Sequence, residues 1–580
     1  MKTVKRHTIR VALVSGCFLL WLVVIAVAAG YQQLYKSAWL SHKAEVQYEQ
    51  ELTINGKRGA IYDSRHEVMA VSVETTSIAA YPKIYNKQVA DKSAAAVQLA
   101  KALRLDAKEV KRNLGGKRPF IWLKRQATPK EVAAVKKLDL KGIDFVSEYS
   151  RFYPNTTLAA QVLGFTGIDG QGLEGIESFY DKELNAAEKR VTVQRDALGR
   201  GFDTDRLAAT SQTGNNLTLT IDRHIQFIAE QALAEAVTEY KGQSGMALVM
   251  EPSSGAVLAM AHYPFFNPNA YNKSNRAVWR NRAISDAFEP GSTMKIFSAA
   301  AALEDGNIRP NSIFFCENGN YRVGGHNVHD TKPHGWLTLQ QIVKFSSNIG
   351  AVKLGEQLGP QMLHDNLREF GFGRRTGIDS NGEASGSLSD YKSWTKIDAG
   401  AIAFGQGVAA TALQVLSATA AIANDGVMMR PYLVQAVTDA QGRTVRETKP
   451  ESLGRVVTAR TAETLRAILR EVVTEGGTGV KADVNGYSVC GKTGTAQKLE
   501  PGGGYAEDRY VASFVGFAPA ERPAVAVLVV VDEPQGTIYG GLVAAPAFSR
   551  IVKETLSYMN VPPSNDWQKL QVSREIKING

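Results

Sequence analysis

The chain has 580 residues and a formal net charge of +10, and 44% of its residues are hydrophobic and 21% are charged. These proportions are ordinary for a globular protein, and the length exceeds one hydrophobic core, so a single small domain is excluded and two or more domains are expected. Four of the positive charges lie in the first ten residues, which leaves a mild imbalance on the rest.

The first predicted element is an apolar helix. Residues 11–29 are nineteen residues without a charge, and at about 1.5 Å per residue such a helix nearly spans a bilayer core. Basic residues before it favour a cytoplasmic N-terminus, with the rest of the chain outside. A cleaved signal peptide is the alternative, because Ala26-Val27-Ala28 resembles a cleavage site, but signal cores are shorter and a retained anchor is favoured. This compartment disfavours a nucleic-acid partner.

A polar juxtamembrane segment is expected at 30–50, followed to about residue 207 by short strands, Gly-rich turns and basic helices. The lysines and arginines of 94–138 are interpreted as the solvated faces of amphipathic helices. Contact with anionic lipid or a cell-wall polymer is the alternative interpretation. The polar stretch ATSQTGNN at 209–216 is typical of a domain junction.

The remaining chain predicts a mixed α/β domain. A helix capped by Asp222 runs to about residue 237, a hairpin occupies 245–260, and a mostly helical region covers 292–425. Strands at 486–495, 510–518 and 524–531 and a closing helix at 545–559 follow. The hairpin and the three late strands are expected to form one sheet that brackets the helical insert.

The first chemical signal is EPGSTMKIF at 289–297. Ser292 and Lys295 are three residues apart, so their side chains share one helix face. A lysine held among apolar neighbours has a lowered pKa, and its neutral amine can take the serine proton. The Ser292 N–H, at the start of the helix, can stabilise an oxyanion.

Two further segments support this interpretation. Ser346-Ser347-Asn348 follows fifty-four residues after Ser292, and Lys492-Thr493-Gly494-Thr495 follows two hundred residues after it. Ser346 can relay protons, and the Asn348 amide can hold a substrate carbonyl or orient a lysine. The S-x-x-K pairs that begin at Ser389 and Ser393 are not followed by an apolar helix face, and we attribute them to chance.

The third segment predicts substrate binding. Lys492 at a strand end can attract a substrate carboxylate, and Thr493 and Thr495 can add hydroxyl contacts. Gly494 lets a substrate backbone approach the strand edge, and the Thr495 N–H can complete an oxyanion hole. The order of the three segments is the signature of penicillin-binding proteins and class A β-lactamases.

The trio resembles that of class B penicillin-binding proteins, the peptidoglycan D,D-transpeptidases. The segments RGAIYD at 58–63, RFYP at 151–154 and GLEGIE at 172–177 resemble motifs of that family's non-catalytic pedestal. The similarity covers about residues 50–560, and PHGWLTLQQIVKFSSNIG and YGGLVAAPAF are most like the septal, FtsI-type branch, with sporulation relatives close by.

The resemblance implies a fold and a division of the chain. The fold is α/β (α+β), with one transmembrane helix, an elongated pedestal, and a transpeptidase domain whose central antiparallel sheet is flanked by helices. The implied boundaries are a cytoplasmic tail at 1–10, the anchor at 11–29, the juxtamembrane segment at 30–50, the pedestal or dimerisation domain at 51–207, the transpeptidase domain at 208–560 and a tail at 561–580.

The resemblance also implies the reaction. Ser292 would attack the carbonyl of the penultimate D-alanine of a D-Ala-D-Ala stem peptide. Lys295 would be the general base, Ser346 would relay protons, and Asn348 would position the substrate and the lysine. The substrate would be bound by Lys492, Thr493, Gly494 and Thr495. Penicillins would acylate the same serine. No cofactor or metal is required. A SEDS-type glycosyltransferase and other division proteins are the implied partners, and the inner membrane, with the catalytic domain periplasmic, is the implied location.

Several alternatives remain open. A penicillin sensor or β-lactamase would share the nucleophile, and a scaffold with a degenerate catalytic domain would share the architecture. The cluster His326, His329, Asp330 and His334 permits a zinc site, although Gly and Pro punctuate the stretch and a structural loop is favoured. Cys490 is interpreted as an inert core thiol, and whether it pairs with Cys316 is open.

Overall fold

The structure is a computed structural model, and it describes residues 2–37, 39, 49–54, 56–186, 189–194, 213–323, 325–500 and 502–563. Most of the juxtamembrane segment, the end of the pedestal from 195, part of the junction and the tail from 564 lie outside these residues. The chain divides into two compact units. The first unit contains Met1–Lys57, Glu74–Tyr149 and Ala187–Gln212. The second unit contains Arg58–Val73, Ser150–Ala186 and Thr213–Gly580. The units cross the predicted domain boundary, which remains a prediction.

The described chain contains both strands and helices, often in runs of one kind. The strands are β1 (Glu49–Ile54), β2 (Ile61–Tyr62), β3 (Val68–Ala80), β4 (Ile121–Ala127), β5 (Ile143–Phe152), β6 (Lys189–Gln194), β7 (Asn216–Leu219), β8 (Ser244–Met250), β9 (Val257–Tyr263), β10 (Ala287–Phe288), β11 (Ile313–Phe315), β12 (Asn320–Val323), β13 (His326–His329), β14 (Trp336–Thr338), β15 (Ala410–Thr411), β16 (Val427–Met429), β17 (Val434–Thr438), β18 (Thr444–Glu447), β19 (Ser452–Arg455), β20 (Cys490–Leu499), β21 (Tyr505–Ala518) and β22 (Val525–Asp532). The α-helices are α1 (Lys2–Gly30), α2 (Pro82–Gln88), α3 (Lys92–Leu103), α4 (Ala107–Leu114), α5 (Pro129–Lys136), α6 (Ala160–Leu163), α7 (Gly175–Phe179), α8 (Asp181–Leu184), α9 (Arg223–Glu239), α10 (Arg282–Ser285), α11 (Lys295–Asp305), α12 (Leu339–Phe345), α13 (Asn348–Leu358), α14 (Pro360–Glu369), α15 (Lys396–Ala403), α16 (Ala412–Ala423), α17 (Ala459–Val473), α18 (Gly540–Val543) and α19 (Ala545–Tyr558).

Helix α1 contains the predicted membrane span. Within the described chain, the segment His7–Tyr35 is long and apolar enough to cross a membrane, with a mean hydropathy of 2.7 and none of its most apolar stretch buried by other residues. All nineteen residues of the predicted span lie in this helix. The described residues therefore contain one candidate membrane helix by length and composition, as the sequence predicts.

The first unit contains a small two-layer fold. The second half of β3 pairs antiparallel with β4, and β5 also pairs with β3. Helices α2–α5 cover one face of these strands, around a core that includes Ile78, Leu99, Val110 and Leu123. Caps define where the helices begin: Asp91 precedes α3, Asp106 precedes α4, and a capping box of Thr128 and Glu131 starts α5. The outer sides of the four helices therefore form one solvent-facing layer.

The second unit is built on a five-stranded antiparallel sheet in the order β20-β21-β22-β8-β9. The sheet joins the early hairpin to the three late strands, which confirms the predicted closure around a helical insert. Every residue of β22 is buried, as its apolar run predicts. The predicted start of one strand was wrong: β20 begins at Cys490 rather than Gly486. Gly486, with a φ of +93°, lies in a turn that Tyr487 N closes on the Val484 carbonyl oxygen at 3.0 Å.

Both faces of this sheet are covered. Val527, Val529 and Val531 pack into a core with α9 and α19, whereas the alternating residues Leu528 and Val530 pack into a core with α11 and α16. This period-2 alternation places β22 in the centre of a three-layer α/β/α sandwich. The edge strand β20, which has one neighbour in the sheet, carries the third predicted motif.

The three motifs that resemble the pedestal meet at one buried carboxylate. Glu177 is fully buried and accepts hydrogen bonds from Arg58 Nε at 2.6 Å, Arg151 Nε at 2.6 Å and the Tyr153 hydroxyl at 3.2 Å. Arg58 also donates to the Glu177 carbonyl oxygen at 2.6 Å and to Asp181 Oδ1 at 2.7 Å. Glu177 thus supplies the countercharge of the buried Arg151 guanidinium, and it shares that of Arg58 with Asp181.

Replacing this carboxylate should destabilise the second unit strongly. In Glu177→Gln, both guanidinium groups stay buried, but Arg151 loses the charge that compensates it and Arg58 keeps only Asp181. We therefore expect a loss of about 3–5 kcal/mol in the free energy of unfolding. Urea unfolding followed by tryptophan fluorescence measures this loss. Glu109→Gln, at an exposed position on α4, is the matched control, and equal midpoints for the two variants would contradict the prediction.

Candidate active site

The nucleophile lies on a short 3₁₀ turn, Gly291–Met294, that leads directly into α11. Ser292 is half-buried in this turn, and Lys295, the first residue of α11, is 1% exposed. Gly291 has a φ of +53°, and a Cβ there would lie 2.7 Å from the carbonyl oxygen of Thr495. Glycine is therefore required for the turn to pack against strand β20.

The Lys295 amine is the centre of the site. Its Nζ lies 2.9 Å from Ser292 Oγ, 3.2 Å from Ser346 Oγ, 2.7 Å from the Ser346 carbonyl oxygen and 2.7 Å from Asn348 Oδ1. Burial lowers the pKa of Lys295 to about 7, although the charge of Asp330 acts in the opposite direction. A large fraction of the amine is thus neutral near pH 7, with a lone pair that can accept the Ser292 proton.

The second motif spans the break between two helices. Ser346 follows the last residue of α12 and has a φ of +60°, an uncommon conformation for a residue with a Cβ. Ser347 caps α13 by accepting a hydrogen bond from Gly350 N at 2.9 Å. The break directs the Ser346 hydroxyl and the Asn348 amide to the same amine, although their residues belong to different helices.

Asp330 holds this break in place and was missed as a site residue by sequence reasoning. Its Oδ1 accepts hydrogen bonds from Asn348 N at 2.5 Å and Ile349 N at 3.0 Å, and its Oδ2 accepts one from the Ser347 hydroxyl at 2.6 Å. The neighbouring His329 carbonyl oxygen accepts one from Asn348 Nδ2 at 3.0 Å. The segment in which a zinc site was considered therefore positions the second motif, and both Asp330 oxygens have donors.

Lys492 approaches Ser346 from the edge strand β20. Its Nζ lies 2.9 Å from Ser346 Oγ, and the side chain is fully buried. Burial, together with the nearby Lys295, holds the pKa of Lys492 well below the ordinary lysine range. Ser292, Lys295, Ser346 and Lys492 consequently form a continuous path of alternating hydroxyl and amine groups along which a proton can move.

The other residues of the third motif surround this path. Thr493 Oγ1 lies 3.0 Å from Thr478 Oγ1, and Thr495 Oγ1 accepts a hydrogen bond from Gly540 N at 3.3 Å. A Cβ on Gly494 would lie 2.2 Å from Ser513 Oγ and within 3 Å of the Thr293 side chain. The close packing of β20 against the nucleophile turn is therefore enough to explain why residue 494 is a glycine. Substrate contacts of Thr493, Gly494 and Thr495, and an oxyanion hole at Ser292 and Thr495, stay predictions.

Two cysteines flank the site without forming a disulfide. Cys316 and Cys490 are both free and buried. Burial raises the pKa of Cys490 to about 12 and also raises that of Cys316, so neither is a ready thiolate. The interpretation of Cys490 as an inert core thiol is confirmed, and Cys316 Sγ lies 3.5 Å from the Ser347 hydroxyl oxygen.

Comparison with known families agrees with this geometry. The model of the penicillin binding protein transpeptidase domain matches residues 245–553, and that of the penicillin-binding protein dimerisation domain matches residues 53–219. The chain belongs to the class B penicillin-binding proteins. It is therefore a monofunctional serine transpeptidase, and the predicted family and enzyme class are confirmed.

Relatives of this penicillin-binding protein span nearly its whole length. The peptidoglycan D,D-transpeptidase FtsI of Escherichia coli is 35% identical over 96% of this chain and 92% of its own. Stage V sporulation protein D of Bacillus subtilis is 34% identical over 96% of this chain and 86% of its own. The class B assignment thus rests on both domains.

Solved structures agree with the fold. A peptidoglycan synthetase from Bifidobacterium adolescentis superposes with a TM-score of 0.70 at 26% identity, covering 89% of this chain and 98% of that one. Penicillin-binding protein 3 of Mycobacterium tuberculosis, complexed with aztreonam, superposes with a TM-score of 0.68 at 28% identity. The match covers 88% of this chain and 98% of that one. The predicted fold class is confirmed.

The lowered pKa of Lys295 predicts the pH dependence of acylation. The amine acts as a base only when it is neutral, so the second-order rate constant for acylation by a penicillin should rise with pH and level off above about pH 7. Stopped-flow kinetics with a fluorescent penicillin measure this profile. A rate that still climbs towards pH 10 would show an ordinary, solvated lysine.

Asp330→Asn tests what sets the pH at which the acylation rate levels off. Because the Asp330 charge raises the pKa of Lys295, its removal should move the inflection of the profile to lower pH, whatever happens to the plateau rate. Asp365→Asn, at an exposed position on α14, should leave the inflection in place. A reduced plateau with an unmoved inflection would restrict Asp330 to a packing role.

Proposed function

We propose that this class B penicillin-binding protein is a membrane-anchored D,D-transpeptidase that cross-links peptidoglycan stem peptides through an acyl-enzyme on Ser292. The observation that carries the proposal is the buried Lys295 amine, 2.9 Å from Ser292 Oγ. A serine beside a largely neutral amine is an activated nucleophile, whereas a free serine hydroxyl is a weak one. Together with the pedestal, this favours a transpeptidase over a β-lactamase or sensor.

Acylation begins when Ser292 Oγ attacks the carbonyl of the penultimate D-alanine and Lys295 takes the hydroxyl proton. The tetrahedral intermediate collapses as the C–N bond breaks, and the proton passes through Ser346 to the amine of the departing D-alanine. Lys492 lies beside Ser346, where it assists this transfer and can donate a hydrogen bond to the terminal carboxylate of the substrate. The product is an ester between Ser292 and the stem peptide.

Deacylation completes the cross-link. An amine of a neighbouring stem attacks the ester carbonyl and loses a proton to Lys295. The C–O bond to Ser292 Oγ then breaks, and Lys295 returns the proton to this oxygen. The side chains of Ser292, Ser346 and Asn348 are partly exposed while both lysines are buried, so the reacting groups are open to substrate from one side. Penicillins acylate Ser292 by the same first step.

The candidate membrane helix and the family support a proposed location and proposed partners. The protein lies in the inner membrane, with its N-terminus cytoplasmic and its catalytic domain periplasmic, because the basic residues precede the apolar helix. Glycan strands come from a SEDS-type glycosyltransferase, and other division proteins recruit the pair to the septum. An even distribution of a fluorescent fusion along the envelope would contradict the septal role.

A covalent adduct tests the mechanism. Mass spectrometry after incubation with a penicillin should find the drug on the peptide that contains Ser292, and Ser292→Ala should carry none. The matched controls are Ser389→Ala and Ser393→Ala, since these serines also precede a lysine by three residues but are exposed, and both should retain the adduct. Wild-type protein without label would support a scaffold, and rapid release of the label would support a β-lactamase.

A further inference from the structure

The positive charge of the chain is concentrated in one short region. Residues 74–149 contain sixteen lysines and arginines against eight aspartates and glutamates, a net charge of +8 of the +10 on the whole chain. The first ten residues contribute four more positive charges. The rest of the protein is therefore slightly acidic, and the basic character belongs to the first unit.

Most of this charge lies on one surface, the basic helix layer, which we define as the outer sides of α2–α5 with their C-caps. Eleven lysines and arginines of this layer are exposed. Lys101 and Arg104 project from the outer side of α3, and Lys108 and Arg112 from that of α4. Lys111 Nζ reaches Ser93 Oγ at 3.0 Å, which joins the two helices into one surface.

The acidic residues of the same layer are largely engaged elsewhere. Asp91 and Asp106 accept hydrogen bonds from backbone N–H groups at the starts of α3 and α4. Glu131 belongs to the capping box of α5 and pairs with Lys124 at 2.7 Å. Glu109 is exposed and lies 3.9 Å from Arg112, a weak pair. The layer therefore presents cations without a matching set of anions.

The arrangement fits an extended anionic surface better than a small ligand. The side chains diverge across four helices, whereas a small anion needs donors that converge on one point. Val97, 53% exposed and one turn before Lys101 on the same side of α3, adds apolar contact. Basic helices with exposed apolar residues are suited to phospholipid headgroups.

We propose that the basic helix layer docks on the anionic phospholipid surface of the membrane that α1 spans, an inference that rests on the proposed anchor but not on the transpeptidase reaction. The chain between α1 and the layer, residues 31–81, extends to at most about 180 Å, so the layer stays within that distance of the membrane. Such tethering gives the lipid surface a high effective concentration at the layer. Each lysine or arginine near the headgroups strengthens the contact.

Lysine acetylation of the full chain in nanodiscs tests this docking. We compare discs of phosphatidylcholine alone with discs that also contain phosphatidylglycerol, and follow Lys92 and Lys130 on the layer by peptide mass spectrometry. Their acetylation should slow by about threefold or more in the anionic discs, and high salt should restore it because the contact is electrostatic. Lys481, exposed in the second unit, should react equally in both.

Two variants of equal net charge separate this surface from a general charge effect. The first carries Lys101→Gln, Lys108→Gln and Arg112→Gln, and the second carries Lys392→Gln, Lys449→Gln and Lys553→Gln in the second unit. The first should lose the protection and the second should keep it, while both bind penicillin as the wild type does. Equal acetylation in both kinds of disc, or protection that only a soluble anionic wall polymer produces, would overturn the proposal.

Discussion

Two amines that water would keep charged lie buried within hydrogen-bond distance of one serine hydroxyl, and the chemistry of the protein depends on this arrangement. Lys295 and Lys492 both contact Ser346 Oγ, at 3.2 and 2.9 Å. Keeping two ammonium groups dry and adjacent would cost several kcal/mol for each. Loss of a proton relieves that cost, so the folding of the domain itself prepares a base beside Ser292.

The fold supplies the burial by bringing distant segments of chain together. Ser292 and Lys492 are two hundred residues apart in sequence, yet the nucleophile turn packs directly on the edge strand β20. The contact is close enough that Gly291 and Gly494 cannot carry a side chain without striking backbone or side-chain atoms across it. The central sheet is covered on both faces, and the lysines beside its edge lie where solvent does not reach them.

Much of this site could be predicted from sequence, because its reacting residues lie in short segments with recognisable patterns. Ser292 and Lys295 lie one helical turn apart, and the run of small apolar residues after them is enough to indicate that the lysine is buried. The eight apolar residues near 524–531 likewise predict a strand covered on both faces. In each case the neighbours in sequence are also the neighbours that determine the environment.

Asp330 and Glu177 could not be found in this way, since their partners are remote in sequence. Asp330 lies in a Gly- and Pro-punctuated stretch, and nothing local shows that its carboxylate accepts the N–H of Asn348. Glu177 belongs to a recognisable motif, but its contact with Arg58 across 119 residues depends on the fold. The start of β20 was also misplaced, because Gly486 was included in the strand where it in fact forms a turn.

The convergence of three separated segments on Glu177 has a practical consequence for dissecting the protein. Arg58–Val73 and Ser150–Ala186 belong to the same compact body as the catalytic sheet, and β2 pairs with β7 through Ile61 and Leu217. A recombinant fragment that starts near residue 208 would remove one side of that pairing and leave Leu217 and Leu219 uncovered. Inhibitor screening and crystallisation should therefore retain the chain from Arg58 onwards.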